Sequence, residues 1–372
     1  MVDSQESSES MDSSGTINGQ DGDLDEQDPF DSNEFLNHAW LYNIKISDNL
    51  YPQDTNPHPI SPPALTHFTF RWQEILDGTQ NLQNTNLLGR DLIRFKVGAA
   101  KILDLQDGEA HPEFVAEIKA LHRAYHPNVI KLLGKCVNRE HCVIVHEFMP
   151  KGSLNHYLFA DTRPDRVVHQ DYPVLDWDTR MRIAVGVAEA LVYVHDELKM
   201  IHGDVRASKV LLDEDFMPKL SGFGLATRIV ENEHGVEQQS EIDRVKGSMA
   251  PETERFGLVS SKSDVYSYGV FLLTLFTGRK EFDLEKLGWA RKHISWLVPV
   301  LSREECMPVV VDVGLAKRFS VEGLVRLFRV ARMCMEKEVV ARPDMRLVEL
   351  MVRQAEDYEV IELPPVTRRC SI

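Results

Sequence analysis

The sequence predicts an α+β fold, a small β-rich part with one main helix followed by a larger, mostly helical part; that division is implied by the resemblance of its motifs described below, and three observations frame it. Short motifs follow one another in a fixed order from about residue 66 to residue 355. Inside that span Ile183, Val187, Leu191 and Val194 return at helical spacing behind Leu175-Asp176-Trp177, the apolar stripe of a long core helix. Ahead of it the first 65 residues hold thirteen Asp or Glu against one Lys, so −12 of the chain's net −16 is concentrated there and the remainder is nearly neutral at −4. The chain is therefore expected to divide into an acidic extension ending in a Pro-rich linker (1–65), a folded domain (66–355, its smaller part ending near 150) and a C-terminal tail (356–372).

Residues 1–29 are rich in Ser, Asp, Gly and Gln and nearly free of aromatic and branched apolar residues. Such a segment buries too little surface to offset chain entropy, so disorder is expected. Its negative charge opposes phosphate and argues against nucleic acid as a partner. From Phe30 to Ile44 the residues Phe35, Leu36, Ala39, Trp40 and Tyr42 gather at partly helical spacing behind Asp31 or Ser32 as a cap. This segment is expected to pack on the chain's own domain, where its effective concentration is highest. Pro52, Pro57, Pro59, Pro62 and Pro63 then read as an extended linker. No apolar run approaches the roughly 18 residues of a membrane span, and no secretory signal opens the chain, so a cytosolic protein is expected. Cys136, Cys142, Cys306, Cys334 and Cys370 are too irregular for a disulfide framework or a zinc site and read as free thiols. Met1-Val2 and the position of Cys370 match neither a myristoylation nor a prenylation signal.

The most informative stretch runs from Met200 to Ala226, where His202-Gly203-Asp204 is followed by Lys209 and then by Gly222-Phe223-Gly224. It resembles the catalytic loop of a protein kinase, H-R-D-x-x-x-x-N, with the D-F-G that follows it. The resemblance implies that Asp204 keeps the position that accepts the substrate hydroxyl proton. It also implies that both magnesium ligands are replaced, one by Lys209 and one by Gly222. An ammonium repels a cation and a glycine offers no side chain, whereas magnesium needs hard oxygen donors. By analogy with losing an oxyanion donor, each change raises the barrier by about 3 kcal/mol, roughly a hundredfold in rate. The stretch is read as that of a pseudokinase, with magnesium not expected.

Further motifs identify the chain as a member of the protein kinase superfamily, which implies a bilobal fold. Leu87-Leu88-Gly89 resembles the start of the glycine-rich loop, yet Gly89-Arg90-Asp91-Leu92-Ile93-Arg94 keeps one glycine of three and puts side chains in the phosphate cradle. Only 12 residues separate Gly89 from Lys101, where kinases generally use about 20, so a shortened lid is expected. Ala99-Ala100-Lys101 matches the V-A-I-K strand, and Glu117 the helix glutamate that pairs with its lysine. In a working kinase that pair orients phosphates; here it is read as a structural strut. His146 falls at the gatekeeper position and is read as a packed core residue. Leu121, His202 and Phe223 are placed to form an apolar column between the lobes. Ala250-Pro251-Glu252, Asp264 and Arg342-Pro343 complete the large-lobe pattern. The resemblance thus implies a degenerate nucleotide cleft of Gly89, Ala99, Lys101, Glu147, Met149, Leu211 and Lys209. Its catalytic positions are Lys101, Glu117 and Asp204, and its nucleotide would be ATP.

Phe68-Thr-Phe-Arg-Trp, His126-Pro-Asn-Val-Ile-Lys-Leu-Leu-Gly134, Phe148-Met-Pro-Lys-Gly-Ser-Leu154 and Ser263-Asp-Val-Tyr-Ser-Tyr-Gly269 are similar to plant receptor-like kinases, and specifically to receptor-like cytoplasmic kinases. That likeness implies recruitment to the plasma membrane by receptor-like kinases or other active kinases, or contact with an intracellular immune receptor. Gly203 departs from the pattern, removing the arginine that would answer a phosphorylated activation segment; Ser240 and Ser248 are read as unmodified surface serines. The leading expectation is an interaction module in immune or developmental signalling. The alternatives are a weak Ser/Thr kinase and a nucleotide-binding module in which Lys101 and Lys209 hold phosphates without metal. For Lys209, an orientation into solvent is equally open.

Overall fold

A computed structural model of the chain describes residues 40–46, 68–79, 96–105, 109–159, 172–229, 238–239, 249–279, 282–284, 291–293, 310–315, 318–358 and 360–362. The acidic segment 1–39, the Pro-rich linker, the tail beyond 362, Gly89 to Arg94, Ser240, Ser248, Cys306 and Cys370 lie outside these residues.

The small lobe is built from β1 (Trp40–Ile46), β2 (Phe68–Thr69), helix α1 (Trp72–Gly78), β3 (Lys96–Asp104), helix α2 (Pro112–Leu121), β4 (Leu132–Val137) and β5 (His141–Glu147). Its five strands lie in the order β1-β3-β5-β4-β2. One antiparallel register, β3 on β5, sets Lys101 opposite Ile144 and Ala99 opposite His146. Core residues Ala100, Ile102, Val143 and Val145 are buried with Phe70, which follows β2, and Ile75 of α1.

Part of the aromatic segment read above as helical is a strand. Trp40 to Ile46 runs antiparallel to β3, from Trp40 opposite Ile102 to Ile46 opposite Lys96. The reason is visible in the residues: Trp40, Tyr42, Ile44 and Ile46 alternate with Leu41, Asn43 and Lys45, and these are β-branched and aromatic types that suit a pleated surface. Among the described residues β1 takes the edge of β3 away from β5, and that edge supplies the ladder such a segment needs. Phe35, Leu36 and Ala39 lie outside the described residues.

Helix α2 starts cleanly because Pro112 needs no backbone donor there and His111 Nδ1 accepts from Glu113 N at 3.2 Å. It buries Phe114, Glu117, Ala120 and Leu121, and is packed against the turn at Phe223–Leu225.

The large lobe follows with β6 (Gly152–Ser153), α3 (Leu154–Phe159), α4 (Trp177–Asp196), β7 (Met200–Ile201), β8 (Val210–Leu212), β9 (Pro218–Leu220), α5 (Pro251–Phe256), α6 (Ser261–Thr277), α7 (Val321–Cys334) and α8 (Met345–Gln354). Asp176 caps α4 by accepting from Thr179 N at 2.9 Å, and Ile183, Val187, Leu191 and Val194 are all fully buried, as their spacing requires. Helix α6 is buried all round and forms the lobe's axis, packed on α4 and α7. Two buried guanidinium groups tie the outer segments to it. Arg180 donates to Leu275 O and to Asp312 at 2.7 Å, and Arg342 makes a two-pronged pair with Glu252 at 2.6 and 2.9 Å. Cys136, Cys142 and Cys334 are buried free thiols. No helix among the described residues is long and apolar enough to cross a membrane.

Candidate functional site

Two charge networks flank the turn at Gly222–Gly224, one carried by β3 and α2 and the other by the loop after β7. In the first, β3 delivers Lys101 and α2 delivers Glu117, and Lys101 Nζ lies 3.0 Å from Glu117 Oε2. Glu113, one helical turn earlier and on the same face, brings a second carboxylate to within 3.2 Å of the same nitrogen. His146 Nε2, from β5, stands 3.2 Å from the other oxygen of Glu117, without the alignment of a hydrogen bond. Burial opposes the charge on Lys101, but the carboxylates of Glu117 and Glu113 overcome it and hold the ammonium pKa above the usual lysine value. Burial likewise works against the charged form of Glu117, yet Lys101 and His146 keep its carboxyl well below the ordinary range.

The second network surrounds Asp204, which is 8% exposed. Arg206 grips it through Nε at 2.7 Å and the second guanidinium nitrogen at 3.1 Å, and Lys209 Nζ lies 3.5 Å from Oδ2. These cations outweigh the burial that would raise the carboxyl pKa, so it is held below the usual aspartate value. The loop itself is fixed by Asp264 of α6, which accepts from His202 N at 2.7 Å, Gly203 N at 2.8 Å and His195 Nε2 at 2.8 Å. His202 is fully buried, accepts from Asp204 N on Nδ1 and donates from Nε2 to Ser221 O at 3.1 Å. Its ring meets the edge of Phe223 with centroids 4.6 Å apart, and Leu121 and Phe223 are fully buried in the same core cluster.

Lys209 does not point into solvent. Gly222 adopts φ +79° and ψ +48°, a left-handed conformation, and a Cβ added there would stand 2.6 Å from Lys209 Cδ and 3.2 Å from its Cε. The aliphatic stem of Lys209 thus fills the space that a side chain at 222 would use, and its ammonium reaches Asp204. This donor set does not fit magnesium: a cation and an absent side chain take the two places where oxygens would be needed. Among the described residues no group of three or more His, Cys, Asp or Glu is arranged to hold a metal ion.

Glu147 closes β5. Its side chain accepts from Lys131 N at 2.8 Å and pairs with Lys219 of β9 at 3.0 Å, tying β5 to the large lobe. Met149 is buried, and Ala99 and Leu211 are half-buried. The motifs thus bring Lys101 to Glu117 and Asp204 to Lys209, while Gly89 lies outside the described residues. Two members of the networks were not singled out by the motifs. Glu113 could have been found from its four-residue spacing to Glu117, and Arg206 from its position two residues beyond Asp204.

A small twisted sheet with one inward helix, a helical second lobe and a cleft carrying a Lys–Glu pair above a buried aspartate define a protein kinase fold. The sequence pattern of the family described as protein tyrosine and serine/threonine kinase matches residues 93–351, and the chain belongs to that family. Among its relatives, the probable serine/threonine-protein kinase PBL18 of Arabidopsis thaliana is 32% identical over 346 residues, 88% of this chain and 84% of the relative. The probable serine/threonine-protein kinase PBL5 of Arabidopsis thaliana is 34% identical over 287 residues, 74% of this chain and 66% of the relative. An EPD1-interacting receptor-like cytoplasmic serine/threonine-protein kinase 5A of Gossypium barbadense is 35% identical over 263 residues, 70% of this chain and 54% of the relative. The chain spans less than two thirds of several of these relatives, down to 32% of the receptor-like serine/threonine-protein kinase ALE2 of Arabidopsis thaliana.

Proposed function

We propose that this chain is a catalytically impaired protein kinase-like protein, a pseudokinase that serves as scaffold, adaptor, competitor or substrate for active kinases in plant receptor signalling, immune or developmental. The observation that carries the reading is the Lys209 side chain lying in the space of the missing side chain at Gly222, with its ammonium 3.5 Å from Asp204. Without two oxygen ligands, charge on a transferring phosphoryl group is not neutralised by magnesium, and with Arg206 on both oxygens of Asp204 the proton acceptor is already engaged. The folded domain at 66–355 is then a platform whose closed form offers a surface to receptor-like kinases at the membrane or to an intracellular immune receptor, from a cytoplasmic location.

A weak Ser/Thr kinase is the second reading, and the intact Lys101–Glu117 pair at 3.0 Å over a buried Phe223 favours it. The two readings separate in one assay. Purified protein with millimolar radiolabelled ATP and magnesium or manganese is expected to give no phosphoryl transfer above background. Transfer that disappears in both Asp204→Asn and Lys101→Met would establish the weak kinase instead.

A further inference from the structure

We propose that Glu113 is an internal anion standing where a nucleotide's phosphates would meet Lys101, so that it sets the ligand specificity of the cleft against polyphosphates. The strut between β3 and α2 is complete with Glu117 alone, which is 1% exposed and paired at 3.0 Å. Glu113 adds a second carboxylate at 3.2 Å from the same ammonium, and its side chain is 37% exposed where that of Glu117 is 1%. Its Oε2 lies 3.1 Å from where a Cβ on Gly224 would stand, so it hangs over the turn that follows Gly222. The carboxylate missing at 222 is thus answered by one delivered from α2, and Lys101 has two anionic partners before any ligand arrives.

The other cations of the cleft are engaged as well, because Asp204 accepts from Arg206 and draws Lys209 to 3.5 Å. An incoming phosphate must displace Glu113 or sit beside Glu113, Glu117 and Asp204 with no divalent ion to offset the repulsion. The intramolecular carboxylate also pairs with Lys101 without the association cost that a nucleotide would meet. This argues against the mode in which Lys101 and Lys209 hold phosphates directly. It rests on the loss of the metal positions proposed above, but it concerns binding, not turnover.

The test is calorimetric titration of the purified full chain with ATP and with inorganic tripolyphosphate, in EDTA and in magnesium. Wild type is expected to bind neither anion measurably at millimolar concentration in EDTA. Glu113→Gln, which keeps the shape of the side chain, and Glu113→Ala are each expected to gain at least tenfold in affinity for both, and the gain should vanish when Lys101→Met is added. Equal binding by wild type and both variants in EDTA, or no gain in either folded variant, overturns the proposal alone. Tight wild-type binding that requires magnesium overturns the metal-loss reading together with it.

Discussion

Gly222 and Lys209 are thirteen residues apart in the chain and share one volume. A side chain restored at 222 would put its Cβ 2.6 Å from Lys209 Cδ, closer than real contacts allow, so one of the two must move. The variant Gly222→Asp alone is therefore expected to lose about 1–3 kcal/mol through overpacking, even though Asp tolerates a left-handed backbone better than most residues. Combined with Lys209→Asn the loss should largely disappear, giving a coupling of about 1 kcal/mol or more in a double-mutant cycle read by urea unfolding. Additive effects would mean that the stem of Lys209 does not hold that space. Both substitutions were legible in the sequence as departures from a motif, but their contact was not, because spacing along a loop gives no distance across it. Glu113 shows the opposite case: four residues from Glu117 on one helix, its geometry was implicit in the sequence and no motif pointed to it.

Between elements, Asp264 does most to place the catalytic-loop residues. From the first turn of α6 its carboxylate reaches the backbone of His202 and Gly203 and the side chain of His195 at the end of α4, so one residue joins two helices and a loop. It is 1% exposed, and these partners hold its pKa below the usual aspartate value against the opposing effect of burial. Asp264→Asn would turn one acceptor into a donor facing backbone N–H groups. The expected cost is about 1–3 kcal/mol, the range for leaving buried hydrogen-bonding groups unsatisfied, measured as a lower urea midpoint with an unchanged slope. A cost under 1 kcal/mol would show that the loop is held elsewhere. Elements with a strong period were readable in advance: the stripe of α4 is buried as its spacing dictates, and the α2 glutamate meets the β3 lysine. The strand at Trp40 to Ile46 was misread because its short aromatic run fits two periods, and only the edge of β3 away from β5 decides between them.

For the molecule as a whole, the buried titratable groups fix how stability responds to pH. Burial lowers the pKa of His202, and the nearby carboxylates of Asp264 and Asp204 offset this only in part, with Lys209 adding to the lowering. His126, half-buried beside Tyr193 with Glu189 and Lys219 near it, is lowered for the same reason. A histidine whose folded pKa lies below its unfolded value of about 6.5 binds fewer protons in the folded than in the unfolded state, so stability is full above that value and declines as pH falls through it. Asp204, Asp264 and Glu117 have folded values below their unfolded ones, so their contribution is full above about pH 4 to 5 and is lost only at lower pH. Lys101, with its pKa raised, contributes fully below about pH 10 and loses its contribution as pH rises through its folded value. Stability should therefore fall in two stages on acidification, first between pH 7 and 5 through the histidines and then below pH 4 through the carboxylates. In thermal unfolding, each kcal/mol lost moves the midpoint by about 2–4 °C for a domain of 150–250 residues, and by less in this larger chain. His202→Gln keeps a polar side chain but does not titrate. It should lower the midpoint at pH 7.5 by loss of the Ser221 and Asp204 hydrogen bonds, and flatten the first stage while leaving the second intact. A first stage of undiminished steepness in that variant would place the proton uptake at His126 or elsewhere and not at His202.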